Sequence, residues 1–403
     1  MWATGIEDTF ITAPHPRTGR TLDEYELTQH YEKWREDLAL VAGLGVTHCR
    51  YGLPWHRIQP SATSWDFGWT DQVVDTILSS GVHPIIDLVH YGLPLWLDGA
   101  YLNPDYPKRV EEYAAKVASR YQGKVFWYTP LNEPRITAYY CGRLGWWPPY
   151  GRSWASYAKI AVAIASGIVR TQRRLKEIDP TIVCVHVDPC DLYSSEQPDL
   201  AQEVRHRTEL AYLNLDLVTG LFGKESFLWN WITSKGVTVG ELAWFEEHRV
   251  VPDLVGLNLY PMFSDKRLVR RSSRLRAKMV YAEPVIVEKI SALYFERYGR
   301  PLMVTETASY GKWRSEWLHG SIASVRRARG AGLPIVGYTW WPLFALVAWS
   351  YREKDLPFEQ YLYQIGLYDL QLEGSDLKRV PSQTAEEYRR LVSQRSGPVG
   401  ALG

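Results

Sequence analysis

Short runs of β-branched and other apolar residues alternate along the chain with longer stretches whose apolar positions recur every three or four residues. The short runs predict strands at 2–5, 47–51, 83–89, 125–130, 182–187, 254–258, 302–305 and 335–340. Between the first two, Tyr31, Trp34, Leu38 and Val41 fall on one helical face before Gly43 and Gly45. Val74, Ile77 and Leu78 do so before Gly81, and Val110, Tyr113, Ala114, Val117 and Tyr121 before Gly123. Strand and amphipathic helix in repeated alternation is the pattern of a parallel sheet covered by helices. Eight such units predict an α/β fold, a single (β/α)8 TIM barrel with elongated βα loops. No Gly/Ser-rich hinge divides the chain, so residues 1–395 read as one barrel and 396–403 as a flexible C-terminal tail. The long aromatic segment between the fifth and sixth strands reads as an elaborated loop.

Composition narrows the partners. The chain has 403 residues, 46% of them hydrophobic and 23% charged, which suits a large buried core and excludes disorder. Its 46 basic and 45 acidic residues leave a net charge of +1, too little overall field for a nucleic-acid or anionic-membrane binder. A neutral small molecule is the expected partner. The 18 Trp and 26 Tyr exceed what a core requires, and their flat faces suit the CH faces of sugar rings. Cys49, Cys141, Cys184 and Cys190 have neither metal-ligand spacing nor the look of a disulfide framework, so reduced thiols are expected. The residues after Met1 show no basic region followed by an apolar one, which points to the cytoplasm. The most apolar run, 335–349, contains Pro342 and is shorter than the roughly 20 residues that cross a bilayer. It reads as a core strand plus a pocket wall.

In such barrels the side chains at the C-terminal strand ends converge on one face. Here those ends carry Arg50, His90, Asn132 with Glu133, Asn258 with Tyr260, and Glu306, while the eighth leads to Trp340 and Trp341. Gathering ionisable groups costs free energy unless they are paired, so a site is the simpler explanation. Carboxyls on strands 4 and 7 face each other across a barrel mouth and can flank one glycosidic bond. For a retaining reaction they are expected about 5–5.5 Å apart. Arg50 and Tyr260 are placed to hold a nucleophilic carboxylate ionised and oriented. The plainer alternatives are a buried salt bridge of Glu133 or Glu306 with Arg50, a core role for His90 and a turn role for Asn258.

These residues stand in strings that resemble the family 1 glycoside hydrolases, the β-glucosidase family, over nearly the whole chain. The strings begin with His30-Tyr31-Glu32-Lys33-Trp34-Arg35-Glu36-Asp37, Gly45-Val46-Thr47-His48-Cys49-Arg50-Tyr51 and Trp55-His56-Arg57-Ile58-Gln59-Pro60. Trp127-Tyr128-Thr129-Pro130-Leu131-Asn132-Glu133-Pro134 resembles the acid/base motif, and Val304-Thr305-Glu306 the nucleophile strand. The resemblance implies Glu133 as acid/base and Glu306 as nucleophile. It implies His90, Asn132, Trp341 and Trp349 as sugar contacts, and Arg50, Asn258 and Tyr260 as residues that orient the nucleophile. Metal and organic cofactor are not called for.

Three departures matter. Thr307 and Ala308 follow Glu306 where the family has Asn-Gly, and Ala348 stands where it has a sugar-binding Glu. Around Gly5-Ile6-Glu7-Asp8 there is no Gln of the kind the family offers to the sugar 3- and 4-hydroxyls. Sites that read hydroxyls discriminate through such buried pairs, so a plain glucoside is a poor expectation. A deoxysugar suits Ala348, and a decorated natural-product glycoside suits aromatic loops. A non-catalytic sugar-binding barrel, or a transglycosidase using the same covalent intermediate, are the competing readings. Ser350, Lys354 and Tyr361 do not match the spacing of the family's phosphosugar site. The basic stretch Lys266, Arg267, Arg270, Arg271, Arg274, Arg276 and Lys278 reads as a solvated helix face or a lid, with an anion site as the alternative. Oligomeric state is left open.

Overall fold

The computed structural model describes residues 1–272 and 274–394. Eight parallel strands close into a barrel in chain order: β1 (Trp2–Gly5), β2 (His48–Gly52), β3 (His83–Asp87), β4 (Trp127–Thr129), β5 (Val183–Pro189), β6 (Leu254–Asn258), β7 (Leu302–Glu306) and β8 (Ile335–Trp340). All eight predicted strands are present, with ends displaced by at most a few residues, and β1 pairs with both β2 and β8 to complete the ring.

Residues alternate between the two faces of each strand, so each contributes to two cores. Ala3, Ile85, Val185, Val187, Leu254 and Met303 fill the barrel interior, while the outward set packs under the surrounding helices. The helix His30–Gly43 buries Tyr31, Trp34, Leu38 and Val41, the predicted face. The helix Tyr106–Arg120 likewise buries Val110, Tyr113, Ala114 and Val117. Gly81, Gly123 and Gly332 adopt positive φ in exposed turns just ahead of β3, β4 and β8, the left-handed geometry that favours glycine after a helix.

Two expectations need correction. The segment between β5 and β6 is largely helical, with helices at Ala201–Thr219, Trp229–Ser234 and Val239–His248. The basic stretch is not a helix face but an antiparallel hairpin, Asp265–Arg271 with Arg274–Val280, whose first strand also pairs with Leu192–Ser194. Its turn runs through Ser272 at φ 55°. The tail expected from 396 lies outside the described residues. Among those described, no helix is long and apolar enough to cross a membrane.

Candidate active site

A cleft of about 400 Å³ opens at the C-terminal end of the barrel, lined in part by His90, Glu133, Asn258, Tyr260, Glu306 and Trp349. Arg50, Asn132 and Trp341, the other expected site residues, lie fully buried immediately beneath and bind those that line it. The nine residues expected at the site are thus brought to one place.

Glu306 ends β7 and is held at both oxygens. Arg50 Nη1 donates to Oε1 at 2.6 Å, and Tyr260 Oη donates to Oε2 at 2.8 Å. Arg50 is itself fixed by Asp87, through Nη2 and through Nε at 3.3 Å, by Asn132 Oδ1 at 2.9 Å, and by the Trp341 ring 4.5 Å from its guanidinium carbon. Glu133 follows β4 at φ 48°, a strained turn for a residue with a side chain, and its N–H is tied to the Val187 carbonyl. Its carboxyl accepts from Tyr91 Oη at 2.5 Å and from Asn258 Nδ2 at 3.0 Å. Asn258 also reaches Asn132 Oδ1 at 3.1 Å, is held by Thr305 Oγ1 at 2.8 Å, and stands opposite Glu306 in the strand register. A continuous chain of hydrogen bonds therefore joins the two glutamates through Arg50, Asn132 and Asn258.

Charge distinguishes them. Burial raises both carboxyls, and Arg50 pulls Glu306 back down. Glu133 is raised by burial against the hydrogen bonds of Tyr91 and Asn258. Two adjacent buried carboxyls titrate as a pair. Glu306 has a full cation at contact distance, whereas the donors touching Glu133 are neutral. The first proton therefore leaves Glu306 and the remaining one stays on Glu133.

The end of the cleft beside His90 and Trp341 holds groups that the sequence does not single out. Glu7 lines the cleft; its Oε2 accepts from Trp341 Nε1 at 3.0 Å and its Oε1 from Thr9 Oγ1 at 2.6 Å. His90 stacks on Trp341 with ring centroids 5.8 Å apart and sets Nδ1 2.7 Å from Asp8. Asp8, Asp87 and Glu7 favour the charged imidazole and raise His90 well above its ordinary value despite burial. Asn132 argues the other way: its Oδ1 already accepts from Arg50 and Asn258, so its Nδ2, 3.0 Å from His90 Nε2, needs an acceptor there. The hydrogen-bond pattern is the stricter constraint and favours a neutral ring with its proton on Nδ1 towards Asp8. Burial in turn pushes Asp8 up to about 7.

Glu7, Asp8 and His90 bring polar atoms within 4.8 Å of one another, a spacing open to a metal. These groups are engaged with each other and with Trp341, Thr9 and Asn132, which accounts for the cluster without an ion. Glycines make this packing possible: a Cβ on Gly52 would fall 1.7 Å from Asp8 Oδ2, and one on Gly5 2.1 Å from the Trp341 ring.

Leu346, Ala348 and Ile365 give the cleft an apolar stretch of lining. Trp349 packs edge-on against Tyr91, Tyr140 and Trp147 at 4.9–5.3 Å. Glu24 is buried close by and accepts the Val347 N–H at 3.0 Å. Glu7 and Tyr91 were missed because a carboxylate just past a strand and a tyrosine after His90 are not distinctive alone. The glycine that lets Asp8 approach β2 was the available signal.

Comparison with known proteins agrees with this architecture. The model of glycosyl hydrolase family 1 matches residues 3–260. A family 1 β-glucosidase from Thermotoga maritima superposes with a TM-score of 0.85, covering 98% of this chain and 97% of that one at 19% identity, a likeness of fold. In sequence, Arabidopsis thaliana beta-glucosidase 47 is 22% identical over 91% of this chain and 76% of its own length. Human cytosolic beta-glucosidase is 27% identical over 34% of this chain and only 35% of that protein.

Proposed function

The chain belongs to glycosyl hydrolase family 1, and on that premise we propose that it is a retaining β-glycosidase in which Glu306 is the nucleophile and Glu133 the acid/base. The observation that carries the assignment is the asymmetry of the pair: Glu306 is gripped by Arg50 and Tyr260 on separate oxygens, while Glu133 is buried among neutral donors. In the first step Glu306 attacks the anomeric carbon as Glu133 gives its proton to the leaving oxygen. In the second, Glu133 takes a proton from water, which displaces Glu306 and restores the original anomeric configuration. Arg50 and Tyr260 keep Glu306 ionised and aimed. Asn258 positions Glu133, and Asn132 couples the two through Arg50.

The glycone is a sugar other than plain glucose, or a decorated one. Leu346, Ala348 and Ile365 offer no hydrogen bond to a 6-hydroxyl, which favours a deoxy position against that wall. His90, Glu7 and Trp349 remain as polar and stacking contacts. The four cysteines are free and buried, consistent with the cytoplasmic location expected from the sequence.

The test is turnover of aryl β-glycosides, namely glucoside, galactoside, fucoside, xyloside and glucuronide, by the wild type and by Glu306→Ala. The fucoside should be turned over in preference to the glucoside, with release of the β-anomer first by NMR, and Glu306→Ala should lose the activity. Turnover confined to glucosides would overturn the glycone assignment. Silence across the panel with retained sugar binding would favour a non-catalytic barrel.

A further inference from the structure

Behind the catalytic cleft lies a second cavity of about 230 Å³, and Arg135, Ile136, Tyr140, Lys266 and Met279 belong to the walls of both. It lies against the inner face of the basic hairpin, where Lys266 and Met279 are paired across the strands and Ala277 follows on the same face. Two features set it apart from ordinary core packing.

The first is aromatic. Tyr139, Tyr140, Trp154, Tyr157 and Tyr193 line it, and Trp154 meets Tyr157 and Tyr139 at 5.3 and 6.2 Å. Flat faces around a slot of this kind accept a ring.

The second is charge. Arg135 Nη2 and Lys266 Nζ both converge on one oxygen of Asp191, at 2.5 and 2.6 Å, and Tyr193 Oη donates to the same oxygen at 3.0 Å. Two cations share a single carboxylate at contact distance. Arg135 is only 9% exposed, and its Nε has no hydrogen-bond partner among the described residues. Arg207 also lines the wall, its charge answered by Glu203 at 2.7 Å. Buried charge of one sign is costly unless something answers it, and an entering anion would supply both negative charge and an acceptor.

We propose that this cavity is an aglycone subsite for an aromatic group carrying a negative charge, with Lys266 and Arg135 binding the anion and Trp154 and its neighbours holding the ring. The proposal rests on the glycosidase reading given above. It places the scissile oxygen in the catalytic cleft and the acidic aromatic leaving group under the hairpin. Carboxylate, sulfate and phosphate share the recognised chemistry.

Binding of para-hydroxycinnamate and of its neutral methyl ester, followed by calorimetry, tests the subsite without requiring turnover. The acid is expected to bind at least about tenfold more tightly than the ester, a difference of about 1.4 kcal/mol. Lys266→Met should abolish that preference and Lys266→Arg should restore it. Ala277→Trp, an exposed hairpin position whose replacement disturbs no buried charge, should fill the cavity and block the acid. Equal affinity for acid and ester, or a preference that survives both Lys266→Met and Ala277→Trp, would overturn the proposal. Hydrolysis of aryl β-glycosides without any acid preference would remove the subsite alone. A clear acid preference with no hydrolysis would remove the glycosidase reading and leave the subsite standing.

Discussion

Tyr260 donates its phenolic hydrogen to the oxygen of Glu306 that Arg50 leaves free, at 2.8 Å. A hydrogen bond to a charged group contributes about 1.5–3 kcal/mol. Tyr260→Phe should therefore lower kcat/KM by about tenfold to a hundredfold while leaving the fold intact, since the ring stays. Steady-state kinetics on the best aryl glycoside decide this, and an unchanged rate would mean that Arg50 alone fixes the nucleophile.

The titration of the pair should be visible in the pH profile. Glu306 must be ionised to attack, so activity falls as pH drops through its value, which burial raises above the ordinary carboxylate range. Glu133 must be protonated to serve the leaving group, so activity falls again at high pH. Glu133→Gln, assayed with a dinitrophenyl glycoside that needs no acid assistance, should lose the alkaline limb and leave the acid limb in place, because the protonated Glu133 it replaces carries no charge while Glu306 titrates. An acid limb that moves to lower pH would show that Glu133 is already charged while Glu306 titrates, reversing the assignment.

Glu24 offers a stability test away from the reacting atoms. It is fully buried, and its Oε1 has no hydrogen-bond partner among the described residues. Burial, reinforced by Glu7, raises it well above 4.5. Folding therefore takes up a proton between the unfolded and folded values, and stability declines as pH rises through that window. Glu24→Gln mimics the protonated form. It should be close to neutral below pH ~4.5 and increasingly stabilising above it, by about 1.4 kcal/mol per pH unit within the window. Thermal melts from pH 4 to 8 would expose a parallel pair of curves if Glu24 were ionised in the native state.

Gly52 packs directly against Asp8 beneath the cleft. Adding one carbon there puts it 1.7 Å from Asp8 Oδ2. Gly52→Ala should cost about 1–3 kcal/mol of stability through overpacking and weaken sugar binding by displacing the Asp8–His90 pair. Denaturant unfolding together with KM measures both effects, and a wild-type KM in the variant would detach that pair from recognition.

The sequence was most legible where a physical period or a strand end carried the information. The strands at Leu254–Asn258 and Ile335–Trp340 have uninterrupted apolar stretches and flanking turns, and their bounds coincide with those expected. Arg50, Glu133, Tyr260 and Glu306 were legible because polar side chains at the ends of buried strands are conspicuous. The hairpin was not. Its alternation is filled by arginine and lysine in place of β-branched residues, and Leu268 is its deeply buried side chain. Charge density masked the two-residue period there. Glu7, Tyr91 and the Arg135–Asp191–Lys266 cluster come together from distant segments, and no local spacing records that meeting.

The positive-φ turns at Gly81, Gly123 and Gly332 lie at the N-terminal ends of their strands, with open space around each. The strands carry the reacting groups at their other ends. Those turns are consequently the attachment points of the molecule: a label, a surface tether or an inserted peptide placed there would sit a full strand length from the sugar, and the enzyme could be immobilised by that end with its mouth facing the solution.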